Sequence, residues 1–314
     1  IIYIIIASLI IIDVVYIAFF WAPIPPQVKH PLPADYPKAD YKKYKKKSQH
    51  IRPEFIKSLT WDRLQYNDIG TSITVKNGKE FYVTGYSYDS ILLIKFDNEG
   101  HTVWSKVWEN SGYNSGYDID IDDSGSIYIT GIYDYDLLLM KFDSEGNKVW
   151  ERVWGDYEYE CGMSLVLYED TYLYVTGYTS SYGSGEYDIL ILKFTTDGTK
   201  QWERVWGGTK NDVGLDITVD NNEYIYVTGY TSSYTAGDAD VFVLKYDNQG
   251  NMIWNMTWGG PDDDVPTGIC VDDKDNVYIV GYTSSYTKFD GSDIFILMLD
   301  NNGTITVSYT HLRA

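Results

Sequence analysis

From about residue 56 to residue 303, apolar and polar positions alternate with a period of two: Ile225 and Val227 interleave with Tyr226 and Thr228, Val241 and Val243 with Phe242 and Leu244. This period predicts β-strands, in which successive side chains point to opposite faces. The runs come in fours, represented by GLDITVD from Gly214, YIYVTGY from Tyr224, DVFVLKY from Asp240 and MIWNMTW from Met252, and are lettered A to D. Short segments rich in Asp, Asn and Gly join C to D (Asp97 to Gly100, Asp143 to Gly146, Asp247 to Gly250). Glycine supplies the positive φ of a tight turn there, so C and D are expected to form an antiparallel hairpin. Each D run carries tryptophans four apart (Trp104 and Trp108, Trp150 and Trp154, Trp202 and Trp206, Trp254 and Trp258), and even spacing places both rings on one face. Their apolar area predicts a place in the core.

The whole group of four repeats. The glycine of the B run recurs at Gly85, Gly131, Gly177, Gly229 and Gly281, at spacings of 46, 46, 52 and 52 residues. Periods near that length suit four-stranded propeller blades. The predicted fold class is therefore all-β, a β-propeller with five visible repeat units in one domain, residues 53–306. Five A, five B and five C runs are present, but only four D runs follow them, and a D-like run, Ile56 to Trp61, precedes everything. If the ring closes at five, Ile56 to Trp61 is expected to pair with Ile294 to Leu299; an open arc is the competing outcome.

The residues also carry a family resemblance. A G-x-x-I-x-V-D strand, a VYVTGYT-like strand, a D-x-F-V-x-K-x-D strand and a W-x-x-x-x-GG exit are matched by Gly214 to Gly260, and the units resemble the bacterial and archaeal β-propeller repeat family called SBBP. Pro266 in place of Gly214, Ser90 in place of Asp240 and Met298 in place of Lys245 are single-position departures. The resemblance implies a propeller that is commonly extracytoplasmic.

The ends differ in kind. Residues 1–21 are apolar except for Asp13 and would span about 31 Å as a helix, the thickness of a hydrocarbon core, which predicts a transmembrane helix or signal anchor at the start of a chain that opens without Met. Six prolines between Pro23 and Pro37 make residues 22–52 an extended stalk with eight basic residues against two acidic. Its Lys42 to Lys47 run suits anionic lipid headgroups. Basic residues after the helix argue for a cytoplasmic propeller and the family resemblance for an outside one; the extracytoplasmic placement is the expectation adopted. At the other end VSYTHLRA, residues 307–314, breaks the repeat and resembles a translated sequencing-library adapter, so the natural chain is expected to continue differently.

Charge and loops bear on function. Residues 53–306 hold 16 basic and 42 acidic side chains, which disfavours nucleic acid as a partner. The step from 46 to 52 residues falls in the B-to-C loop: five residues separate Gly131 from Asp136, but eleven separate Gly177 from Asp188 and Gly229 from Asp240. The longer loops bring YTSSY beside the acidic D-to-A loops, so Tyr182, Tyr234, Tyr286, Asp212, Asp263 and Asp264 are the expected ligand-facing residues, for a protein or glycan. Asp122, Asp123, Asp272, Asp273 and Asp275 raise a calcium site, with turn chemistry as the simpler account. Cys161 and Cys270 lie in non-adjacent units and are expected to be two buried thiols rather than a disulfide. The functional expectation is a membrane-anchored binding, adhesion or scaffold module without a catalytic constellation. The alternative is a propeller enzyme: a quinoprotein-like dehydrogenase, because Asp143, Gly146 and Trp150 resemble its D-x-x-x-G-x-x-x-W motif with one offset short, or a carboxylate-based hydrolase or lyase.

Overall fold

The computed structural model describes residues 68–109, 112–235, 237–287 and 291–310. The expected membrane helix, the stalk and the Ile56 to Trp61 run lie outside the described residues, and among those described no helix is long and apolar enough to cross a membrane. Among the described residues twenty strands form five sheets. Blade 1 contains β1 (Asp68–Lys76), β2 (Glu80–Ser87), β3 (Ser90–Phe96) and β4 (Thr102–Trp108). Blade 2 contains β5 (Asn114–Ile121), β6 (Ile127–Tyr133), β7 (Asp136–Phe142) and β8 (Lys148–Trp154). Blade 3 contains β9 (Glu160–Tyr168), β10 (Tyr172–Thr179), β11 (Asp188–Thr195) and β12 (Lys200–Trp206). Blade 4 contains β13 (Asp212–Val219), β14 (Ile225–Thr231), β15 (Asp240–Tyr246) and β16 (Met252–Trp258). Blade 5 contains β17 (Asp264–Val271), β18 (Val277–Thr283), β19 (Asp293–Leu299) and β20 (Ile305–Thr310). Each is an antiparallel meander in sequence order, consistent with a propeller blade.

The alternation explains the stacking. Val241 and Val243 on one face of β15 pack into the core shared with blade 5, while Phe242 and Leu244 on the other face pack into the core shared with blade 3. Middle strands are thus apolar on both faces, because each blade is covered on both sides, and one hydrophobic core fills each gap between consecutive blades. The marker glycine is required by the close approach of strands A and B. A Cβ on Gly229 would lie 1.9 Å from the carbonyl oxygen of Val213, and one on Gly131 2.0 Å from that of Ser115.

The D-strand tryptophans are not fully buried as expected; all eight are half-buried, since D is the outer strand and covers the next blade from its edge. They join blades by polar contacts as well as by buried area. The indole N–H groups of Trp150, Trp202 and Trp254 donate to the carbonyl oxygens of Thr196, Asn248 and Asn301 in the C-to-D turn of the following blade. Arg152 and Arg204 add a second bond to the same turns, at Gly198 and Gly250.

Strand A is innermost, and β1, β5, β9, β13 and β17 pack in succession. Asp and Ser side chains link them. Asp118 accepts from the Ser72 and Ser164 hydroxyls and the Leu165 N–H, and Asp216 lies 2.9 Å from the Ser164 hydroxyl and accepts the Ile269 N–H at 2.8 Å. Ser164 therefore stands 2.9 Å from both carboxyls with one proton to give. Burial pushes both up, Asp216 to about 7 with Asp118 adding to the rise, and Asp120 beside them to about 6.

Closure departs from expectation. The outer edge of β19 is taken by β20, with Phe295 opposite Thr310 and Leu299 opposite Ile305, so it is not free for the Ile56 to Trp61 run. The cause is local: Asp300 accepts the N–H groups of Asn302 and Thr304, and Gly303 has φ of 80°, which repeats the C-to-D turn of the other blades and folds the next residues straight back. Four residues of β20, Val307 to Thr310, belong to the expected foreign octapeptide, and the strand is mostly exposed. Among the described residues no packing comparable to that between consecutive inner strands joins β17 back to β1.

Candidate functional site

The B-to-C and D-to-A loops meet on one face, and a repeated polar staple sets their shape. In blade 4 the Asp212 carboxylate receives the hydroxyls of Thr231 and Ser233 from the B-to-C loop and the Gly208 N–H from the D-to-A loop. In blade 5 Asp264 receives Ser285 and the Gly260 N–H. In blade 3 Glu160 does the same work for Thr179, Ser181 and the Asp156 N–H. Each TSSY segment is thereby folded back so that Tyr182, Tyr234 and Tyr286 lean on Trp154, Trp206 and Trp258, with ring centroids 5.1, 4.9 and 5.2 Å apart.

These contacts sort the expected site residues. Asp212 and Asp264 are fully buried and hold the loops together instead of facing a ligand. A carboxylate surrounded by loop N–H and hydroxyl donors costs less buried than those donors would cost unpaired. Asp263 is exposed, and Tyr182, Tyr234 and Tyr286 keep 40%, 48% and 38% of their surface in solvent. Three tyrosines and Asp263 therefore lie on the loop face, spread over three blades rather than gathered at one point. Glu160 was missed because a Glu occupies the position where blades 4 and 5 carry Asp212 and Asp264.

Blade 2, like blade 1, lacks the TSSY segment. Its B-to-C connection is the two-residue turn Asp134 and Tyr135, with φ of 45° and 80°, and no TSSY segment rises over the neighbouring D-to-A loop. A cleft of about 390 Å³ remains, lined by Asp134, Tyr135, Asp136, Asp156, Tyr157, Glu158 and Tyr159. Tyr135 and Tyr159 meet edge to face at 4.6 Å, and Tyr157 is 94% exposed. None of the ion pairs among the described residues involves the four carboxylates. Burial, then the charge of Glu160, raises the Asp136 carboxyl above its ordinary value. The cleft combines negative charge with aromatic faces, both of which attract organic cations. The short Gly131-to-Asp136 spacing was the signal in the sequence.

The Asp-rich turns are occupied by their own backbone. Asp272 accepts the N–H groups of Lys274 and Asn276 and the Tyr278 hydroxyl, and Asp122 accepts from Ser124, Ser126 and Tyr128. Among the described residues no three of His, Cys, Asp and Glu come together as metal ligands. Cys161 is buried and Cys270 half-buried, both as free thiols.

Two family models agree with the blade geometry. The SBBP Beta-propeller repeat family matches residues 258–289, from the end of β16 into the B-to-C loop of blade 5. The family described as Domain of unknown function (DUF5122) beta-propeller matches residues 173–200 in blade 3. The Regulatory protein FlaEY of Caulobacter vibrioides is 27% identical over 114 residues, which cover 32% of this chain and 12% of that protein. Among solved structures, a functionally unknown protein from Desulfotomaculum acetoxidans is 16% identical with a TM-score of 0.49, over 79% of this chain and 71% of that one. Drosophila Plexin A in complex with Semaphorin 1b is 12% identical with a TM-score of 0.47, over 74% and 51%.

Proposed function

From β-propeller repeats of the SBBP kind, we propose a binding module that meets a protein ligand through its loop face, is anchored by residues 1–21 and stands outside the cell on the basic stalk. The observation that carries the reading is the acidic, tyrosine-lined cleft between blades 2 and 3, whose four carboxylates take no part in the ion pairs of the described residues. Cationic side chains of a partner would gain both Coulombic attraction and a cation–π face there. Solvent-exposed Tyr182, Tyr234 and Tyr286 extend the same surface over blades 3 to 5.

The test is the full chain against protein and glycan arrays, beside a variant carrying Asp156→Lys and Glu158→Lys. The expected result is capture of basic protein ligands, weakened by salt and lost in the variant. Equal capture by both forms, or capture of uncharged glycans alone, would refute the cleft as the recognition site. Protease added to intact cells should release the propeller by cutting in residues 22–52; protection of that segment would overturn the outside placement.

A further inference from the structure

Trp154, Trp206 and Trp258 are each capped by a tyrosine of the following blade's B-to-C loop. Two of these caps also carry a polar bond: Tyr234 donates its hydroxyl to the Gly207 carbonyl at 2.9 Å, and Tyr286 to that of Gly259 at 2.7 Å, in each case the residue just after the tryptophan. In blades 4 and 5 a second ring, Phe242 or Phe295, packs against the same tryptophan from strand C.

Trp108 at the junction of blades 1 and 2 has no tyrosine cap, and its strand-C ring comes from a different position. The two-residue turn of blade 2 supplies no capping tyrosine, and Leu138 stands opposite Gly131 where Phe242 and Phe295 stand opposite Gly229 and Gly281. Phe142, near the other end of β7, is the ring that touches Trp108, at 4.4 Å. The missing volume is open: a cavity of about 270 Å³ is lined by Trp108, Ile91, Leu138, Met140 and Tyr133, with Glu109, Lys148 and Glu151 among its polar lining. Lys148 and Glu151 pair at 2.5 Å, as Lys200 and Glu203 pair beside the capped Trp154.

We propose that the Trp108 cavity is a receptor for a phenolic side chain of a partner protein, which fills the place that Tyr182, Tyr234 and Tyr286 of blades 3 to 5 fill on Trp154, Trp206 and Trp258. The chain itself supplies the template: a flat ring against the indole and apolar side chains behind it, with a hydroxyl donated to the residue after the tryptophan in blades 4 and 5. An offset or tilted ring pair of this kind contributes beyond its buried area. The inference deepens the reading of the protein as a binding module and fixes a second contact, one blade away from the acidic cleft.

The probe is N-acetyl-L-tyrosinamide, titrated into the full chain and followed by NMR of the indole N–H signals and by calorimetry. Two variants close the cavity by the molecule's own means. One replaces Asp134 and Tyr135 by residues 232–239, which carry Tyr234; the other is Leu138→Phe. The parent is expected to bind the probe with the Trp108 signal perturbed, and both variants to bind at least about tenfold more weakly. If one variant fails to fold, the other carries the comparison. Absence of binding to the parent, binding of the same strength in a folded variant, or tighter binding of a methyl glucoside than of the tyrosine probe overturns the proposal. Array capture that depends on Asp156 and Glu158 while the tyrosine probe fails would leave the binding-module reading standing and this inference alone rejected.

Discussion

Replacing Asp216 by Asn tests the proton that the inner strands require. Ser164 lies 2.9 Å from a carboxyl oxygen of Asp118 and of Asp216, and its single hydroxyl proton can satisfy one of them. Asp118 also accepts from Ser72, Ile119 and Leu165, which favours its anion, whereas Asp216 has the backbone N–H groups of Ile217 and Ile269. The arrangement is consistent if Asp216 holds a proton and donates it to Ser164, which donates in turn to Asp118. The other titratable group beside Asp216 is Cys270 on β17, and no ion pair among the described residues includes Asp216. Its carboxyl rises from the ordinary 3.8 to about 7, chiefly by burial and then by the charge of Asp118. A raised carboxyl pKa stabilises the folded state below the unfolded value and loses that contribution as pH climbs through the folded value. About three units correspond to about 4 kcal/mol as an upper bound, lost between roughly pH 4 and pH 7. In Asp216→Asn the amide mimics the protonated acid, so its denaturation free energy should fall less between pH 4 and 7 than the parent's and match or exceed it at pH 8. Asp120, raised to about 6, contributes to both proteins and cancels in the difference. Urea titrations at five pH values would measure this, and identical pH slopes for parent and variant would refute the shared proton.

The half-buried place of the D-strand tryptophans lowers the cost of Trp206→Ala to about 2–4 kcal/mol, below that of a fully enclosed ring, because Tyr234 and Phe242 lose their partner while solvent fills the gap. Chemical denaturation would check it, and a variant as stable as the parent would remove Trp206 from the inter-blade core. Gly229→Ala forces a Cβ to within 1.9 Å of the Val213 carbonyl and should cost more than Trp206→Ala by separating β13 from β14. Soluble yield and circular dichroism would show that loss, and a normally folded variant would contradict the close approach.

Strand identity, blade length and the hairpin between C and D were legible in the chain because each depends on neighbours in sequence: period-two alternation, a glycine at a turn, a repeat spacing. The difference in the B-to-C loop was legible for the same reason. What the difference does was not, since the effect of five residues rather than eleven after Gly131 is felt at Trp108 of the preceding blade and at Asp156 of the following one. Asp212 and Asp264 read as surface residues because an Asp in a polar loop looks alike whether it faces water or collects donors from two loops; only the folding of those loops over it decides. The fate of the last strand was decided in the same way. A turn of Asp300 to Gly303 commits the next residues to β19 at little entropic cost, whereas pairing with a segment some 240 residues earlier demands closure of the entire ring. Short-range alternation and turn chemistry were enough to set the blades. Which groove is open, which carboxylate is buried and which edge is paired depended on packing between blades, where residues about fifty positions apart become neighbours.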